Sequence, residues 1–141
     1  MALWQIELYA VDKDKDIECD FNNIVLWKRD ISGIAKNISF LPKHKGWSDH
    51  IIQFGLTDET CIEIFKDENN KIQEIAIRLD LRTISNKMID YIVDYLNYLD
   101  SDIYYNGKIY NTSTDTLKCI IHTSDAYRFV NNPEDYLKGN S

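Results

Sequence analysis

Trp4, Ile6, Leu8 and Ala10 alternate with Gln5, Glu7 and Tyr9, and this period of two predicts an opening β-strand. Charge ends it: Asp12, Lys13, Asp14, Lys15 and Asp16 offer no apolar anchor and predict a solvated loop ahead of residues 17–21. Trp27, Ile31, Ile34, Ala35 and Ile38 recur at helical spacing, which predicts an amphipathic helix over residues 24–40, closed by Leu41 and Pro42. Residues 43–49 read as a loop from which Trp47 tucks back onto the body.

Between residues 57 and 82, two β-rich runs flank the polar turn 67–71 and predict a hairpin. Its second strand places Ile75, Ile77, Leu79 and Leu81 on one face and Glu74, Arg78, Asp80 and Arg82 on the other, one to be buried and one charged. Thr83 or Ser85 is placed to cap a helix whose stripe is Ile84, Met88, Tyr91, Ile92, Tyr95, Leu96 and Leu99, with Asn86, Lys87, Asp90, Asp94 and Asn97 facing away. Asn106 and Gly107 mark a turn, and residues 108–111 a short extended piece. Leu117, Ile120 and Ile121 mark a short helix begun by Thr114 or Asp115. Ser124 and Asp125 start another through Ala126, Tyr127, Phe129 and Val130, and Asn132 and Pro133 begin a last turn docked through Tyr136 and Leu137.

These elements predict an α+β fold: a small, mostly antiparallel sheet including a central hairpin, packed by an amphipathic helix, with further short helices at the C-terminus. A chain of 141 residues suits one hydrophobic core, and no repeat or linker divides it, so residues 1–141 read as a single domain with 138–141 as a frayed tail. No apolar run approaches the ~18 to 20 residues of a membrane helix, and the N-terminus lacks the pattern of a secretion signal. The expectation is a cytoplasmic protein without membrane contact. Cys19, Cys61 and Cys119 are then reduced, buried thiols, since an odd number at wide spacing suits neither a disulfide framework nor a metal knuckle.

A net charge of -7 with no basic stripe disfavours direct binding of nucleic acid and favours a basic protein partner. Motifs for catalysis and cofactors fail on inspection, so no cofactor is expected. Asp12, Asp14 and Asp16 imitate the start of a calcium loop, but Ile17 and Asn23 stand where glycine and glutamate are needed. Cys119 and His122 share a helical face without a third ligand, and read as a core thiol beside a partly buried histidine. His122, Ser124 and Asp125 are contiguous, whereas working triads are assembled from distant segments, so Ser124 reads as a helix cap. None of the five glycines forms a phosphate loop. Arg78, Asp80 and Arg82, opposite Glu63 and Asp67, read first as cross-strand ion pairs and second as a binding surface.

The stretches 54–65 (Phe54-Gly55-Leu56-Thr57-Asp58-Glu59-Thr60-Cys61-Ile62-Glu63-Ile64-Phe65) and 74–82 (Glu74-Ile75-Ala76-Ile77-Arg78-Leu79-Asp80-Leu81-Arg82), with the ending 123–133, resemble the hairpin-then-helix core of small immunity proteins from contact-dependent growth inhibition and related polymorphic-toxin systems. The resemblance covers residues 47–137 and is one of type, since such proteins share no diagnostic motif. It implies a non-enzymatic protein that occludes the C-terminal toxin domain delivered by a neighbouring cell, such as a basic nuclease. Candidate partner-binding residues are then the acidic Asp12, Asp14, Asp16, Asp58, Glu59, Glu63 and Asp67, with Trp47, Tyr104 and Tyr105 as aromatic anchors. The alternative is a small enzyme or ligand-binding domain whose pocket lies between sheet and helix, lined by Tyr91, Tyr95 and His122.

Overall fold

The structure is a computed structural model that describes residues 1–13, 19–20, 23–24, 26–31 and 33–134, with backbone alone for 19–20 and 23–24. The chain runs β1 (Gln5–Asp12), β2 (Cys19–Asp20), β3 (Asn23–Ile24), β4 (Lys43–Lys45), β5 (Ile51–Phe54), β6 (Cys61–Lys66), β7 (Ile72–Asp80), α1 (Asn86–Tyr98), β8 (Ser101–Tyr105), β9 (Lys108–Tyr110), α2 (Thr114–Thr123) and α3 (Asp125–Asn131). Seven strands form one antiparallel sheet in the order β4-β5-β6-β7-β1-β8-β9, and β2 and β3 pair separately. The α+β reading holds: the sheet is antiparallel, α1 lies between β7 and β8, and α2 and α3 follow the last strand.

The predicted hairpin is β6–β7, and its alternation works as expected: Ile62, Ile64, Ile75, Ile77 and Leu79 are fully buried on one face, joined from β1 by Ile6, Leu8 and Ala10. Helix α1 lays Ile89, Ile92, Val93, Tyr95 and Leu96 on that face, and α2 adds Leu117, Ile120 and Ile121. Ser85 caps α1, its hydroxyl accepting from the Met88 N–H at 3.1 Å, and Ser124 caps α3 by accepting from Tyr127 N–H at 3.2 Å. Helix α2 begins at Thr114, one of the two starts its sequence suggests, and the preceding Ser113 caps it, its hydroxyl accepting from Thr116 N–H at 3.0 Å.

The predicted helix over residues 24–40 is not formed. Asn23–Ile24 is a strand, 26–31 are irregular, and 33–37 form turns, with Gly33 in the left-handed region at φ 81°. The apolar positions that suggested it are nonetheless used: Trp27, Ile34 and Ile38 are buried and Ile31 and Ala35 pack beside them. Residues 26–31 and 33–40 form a strap over the helical layer, held by tertiary bonds such as Tyr95 Oη to the Ile34 carbonyl at 3.0 Å. Spacing identified the buried residues, and the backbone that carries them was decided elsewhere.

Parts of two expected loops are strand in the fold. Asp12 does not belong to a solvated loop, being the buried last residue of β1. Residues 43–45, read as loop, are the edge strand β4, too short to show a period of two and fixed by pairing with β5 through Lys43–Phe54, His44–Gln53 and Lys45–Ile52. The turn at Asn106 and Gly107, both at positive φ, closes the β8–β9 hairpin as the dipeptide suggests. Asp14, Asp16, Tyr136, Leu137 and the 138–141 tail lie outside the described residues.

Candidate functional site

With the helices gathered on one side, the sheet keeps a second face that no helix covers among the described residues. Register sets what stands on it. One row of directly opposed residues crosses all seven strands: His44, Gln53, Glu63, Ala76, Tyr9, Tyr104 and Ile109. Beside it, Cys61, Arg78 and Glu7 form a second row, and Phe65 pairs with Glu74 in a third.

On this face Tyr9, Glu7, Arg78, Glu63 and Trp47 are joined in one chain of polar contacts. Tyr9 Oη donates to Glu7 Oε1, and Arg78 Nε donates to Glu7 Oε2 at 2.7 Å. Arg78 Nη1 lies 3.6 Å from Glu63 Oε1, and the Trp47 indole Nε1 donates to Glu63 Oε2 at 2.9 Å. Trp47 also meets the Phe65 ring edge-on at 6.2 Å, while Tyr9 and Tyr104 are tilted together at 6.3 Å. The β5–β6 turn closes one end of the face, with its Thr57 carbonyl accepting from Gln5 Nε2 and Arg78 Nη1 and its Glu59 carbonyl from Gln5 Nε2. Gly55 makes that turn possible: it sits at φ 79°, and a Cβ there would come within 2.2 Å of the Thr60 carbonyl oxygen.

The electrostatics follow from this packing. Burial opposes ionisation of Glu7, but the hydrogen bonds from Tyr9 and Arg78 and the Arg78 charge outweigh it, and its carboxyl is more acidic than usual. Glu74 is pushed the other way, first by burial and then by the charges of Glu7 and Glu63. The Tyr9 phenol is held well above its ordinary value by burial and by the Glu7 acceptor. Cys61, also on this face, is raised to about 11 by burial and then by the Glu63 charge.

The sequence-derived candidates divide accordingly. Trp47, Glu63 and Tyr104 stand together on the uncovered face. Trp47 is 69% exposed, so it does not tuck into the body, yet its indole is pinned to a glutamate that is 1% exposed. Asp58 and Glu59 are exposed in the β5–β6 turn at the rim. Tyr105 points to the helical side, where it packs against the core. Asp67 serves the β6–β7 turn, accepting from the backbone N–H groups of Asn69 and Lys71 at 2.8 and 2.9 Å, and backbone hydrogen bonding makes it more acidic than usual. Asp12 faces Arg29 instead of solvent. Of the cross-strand ion pairs expected for the charged hairpin face, Arg78–Glu63 is found; Asp67 joins none among the described residues, and Arg82 pairs instead with Asp80 two residues before it.

The sequence places Glu74 on the charged hairpin face, but neither it nor Glu7 nor Tyr9 stands among the candidate binding residues. Their alternation in β1 and β7 was visible, but the pairing of β1 with β7, which brings them together, was not. The three residues of the pocket alternative do not meet in one site: Tyr91 and Tyr95 line a hollow of about 240 Å³ beside Phe40, where Tyr95 gives its hydroxyl to the Ile34 carbonyl, and His122 lines a separate hollow of about 290 Å³ beside Ile84 and Tyr127. Cys119 and His122 are exposed, not a buried thiol and a partly buried histidine, and no group of metal-binding side chains occurs among the described residues. No described helix is long and apolar enough to cross a membrane.

The chain matches no protein-family model, no curated protein and no solved structure.

Proposed function

We propose that the protein is an immunity protein that binds a cognate bacterial toxin domain and neutralises it by non-covalent occlusion, without catalysis, through the uncovered face of the sheet. The observation that carries this reading is the pinned, exposed Trp47 beside a surface on which Glu7, Glu63 and Glu74 outnumber the Arg78 guanidinium. A rigid aromatic concentrates binding energy in a small area, and its hydrogen bond to Glu63 means little rotamer freedom is lost on docking. The carboxylate excess, with Asp58 and Glu59 at the rim and a net charge of -7, suits a basic partner such as a nuclease domain and accelerates its approach. Such a surface covers its target by area and charge and needs no reacting group.

Co-expression with the C-terminal region of the product of the adjacent upstream gene, followed by pull-down and a growth assay, tests the proposal. A stable complex that restores growth is expected, and Trp47→Ala should weaken it by about 2 kcal/mol, roughly thirtyfold. Absence of both complex and rescue would refute the toxin reading.

A further inference from the structure

At the centre of the uncovered face, the cation is already committed. Arg78 is held by Glu7 at 2.7 Å and lies 3.6 Å from Glu63, so its guanidinium serves two carboxylates. Glu74 is the third carboxylate, and among the described residues no cation or hydrogen-bond donor meets it. It is half-buried, it stands directly opposite Phe65 in the strand pairing, and the charges of Glu7 and Glu63 bear on it. Phe65 in turn is met edge-on by Trp47 and is itself half-buried. A negative charge beside an aromatic ring on a face that already carries acid excess is complementary to one kind of side chain.

Resting on the reading of this face as a protein-binding surface, we propose that it receives an arginine of the partner, with the guanidinium on the Glu74 carboxylate and its plane against the Phe65 ring. Arginine fits better than lysine for three reasons. Its planar fork can meet both oxygens of one carboxylate, it gives up hydration more readily than an ammonium group, and it stacks on aromatic rings. The incoming charge also relieves the repulsion among Glu7, Glu63 and Glu74. Phe65 and Trp47 supply the apolar wall that keeps water from the contact.

The probe is an acetylated, amidated Gly-Arg-Gly-Arg-Gly peptide, titrated into isotope-labelled full-length protein and followed by amide and indole NMR shifts. Saturable shifts are expected at the Phe65 and Glu74 amides and the Trp47 indole N–H, with binding about fivefold weaker for the matching lysine peptide and for Glu74→Gln. Glu74→Gln removes a like charge, so it should melt above the parent protein while binding less, a combination that loss of fold cannot produce. Glu74→Asp should retain part of the affinity. Shifts spread evenly over surface carboxylates, or equal affinity of parent and Glu74→Gln, would overturn the proposal. Capture of the toxin domain equally by parent and Glu74→Gln would remove the arginine site and leave the docking reading standing. Peptide binding as described, with no toxin domain captured, would do the reverse.

Discussion

Arg29 and Asp12 form the tie that fastens the strap at 26–31 to the sheet: Nε lies 2.6 Å from Oδ1, and the Arg29 backbone N–H donates to Oδ2 at 3.0 Å. The same guanidinium donates through Nη2 to the carbonyls of Leu99 and Asp100, at 2.6 and 2.9 Å, so one side chain joins the strap, the end of β1 and the exit of α1.

Asp12→Ala should therefore destabilise the protein well beyond an ordinary surface substitution. Removing one partner of a fully buried pair costs about 3–5 kcal/mol, and Arg29 keeps some contact with water and its two carbonyl acceptors, so about 2–3 kcal/mol is expected here. Urea unfolding reads this as a lower midpoint at unchanged slope. A midpoint equal to that of the parent would show that the strap does not depend on the tie.

The two cysteines whose side chains are described should differ sharply in reactivity. Cys61 is fully buried with its thiol raised to about 11, so almost no thiolate forms near neutrality, whereas Cys119 is exposed on α2. Iodoacetamide at mildly alkaline pH should label Cys119 in the folded protein and reach Cys61 only after denaturation. Peptide mass mapping checks this, and early labelling of Cys61 would mean that the sheet face opens readily.

Glu7 and Glu74 should move stability with pH in opposite senses. Glu7 is more acidic in the fold than in the unfolded chain, so its contribution is complete above the ordinary carboxylate range and is lost as pH falls through its folded pKa. Glu74 is less acidic in the fold, so its ionised form opposes folding at neutral pH, and the opposition fades as pH falls through its raised pKa. Glu7→Gln should cost about 1 kcal/mol at neutral pH through its weakened bonds to Tyr9 and Arg78. Glu74→Gln should raise the melting temperature there, and both differences should shrink in acid. Thermal melts across the acid range would expose the error if the two variants shifted in the same direction.

Local chemistry was enough for much of the fold. The β6–β7 hairpin, the Ser85 and Ser124 caps, the Asn106-Gly107 turn and most of the α1 stripe are set by residues within a few positions of one another, where spacing and backbone preference act directly; in α1 the buried face turns toward Ile89 and Val93 and leaves Tyr91 exposed. Apolar spacing in the chain also picked out much of the core, even in 24–40, where Trp27, Ile34 and Ile38 went inside without forming a helix, but not Trp47 and Cys119, which are expected inside and stand exposed. Trp47 and Glu63 could be named from their types alone, but their hydrogen bond could not.

The tertiary structure alone decided the strap and the uncovered face. Arg29 reaches Leu99 across 70 residues, and Glu7 reaches Arg78 across 71, so neither contact leaves a periodic mark in the chain. Strand pairing chooses neighbours for every residue at once: with β1 set between β7 and β8, Tyr9 stands between Ala76 and Tyr104, and Glu7 meets Arg78. Alternation fixes the side of the sheet on which a residue stands, because that is a property of one strand. Which charges it meets there depends on the order and register of the others, because hydrogen-bonded pairing between distant segments is settled only as the whole sheet forms.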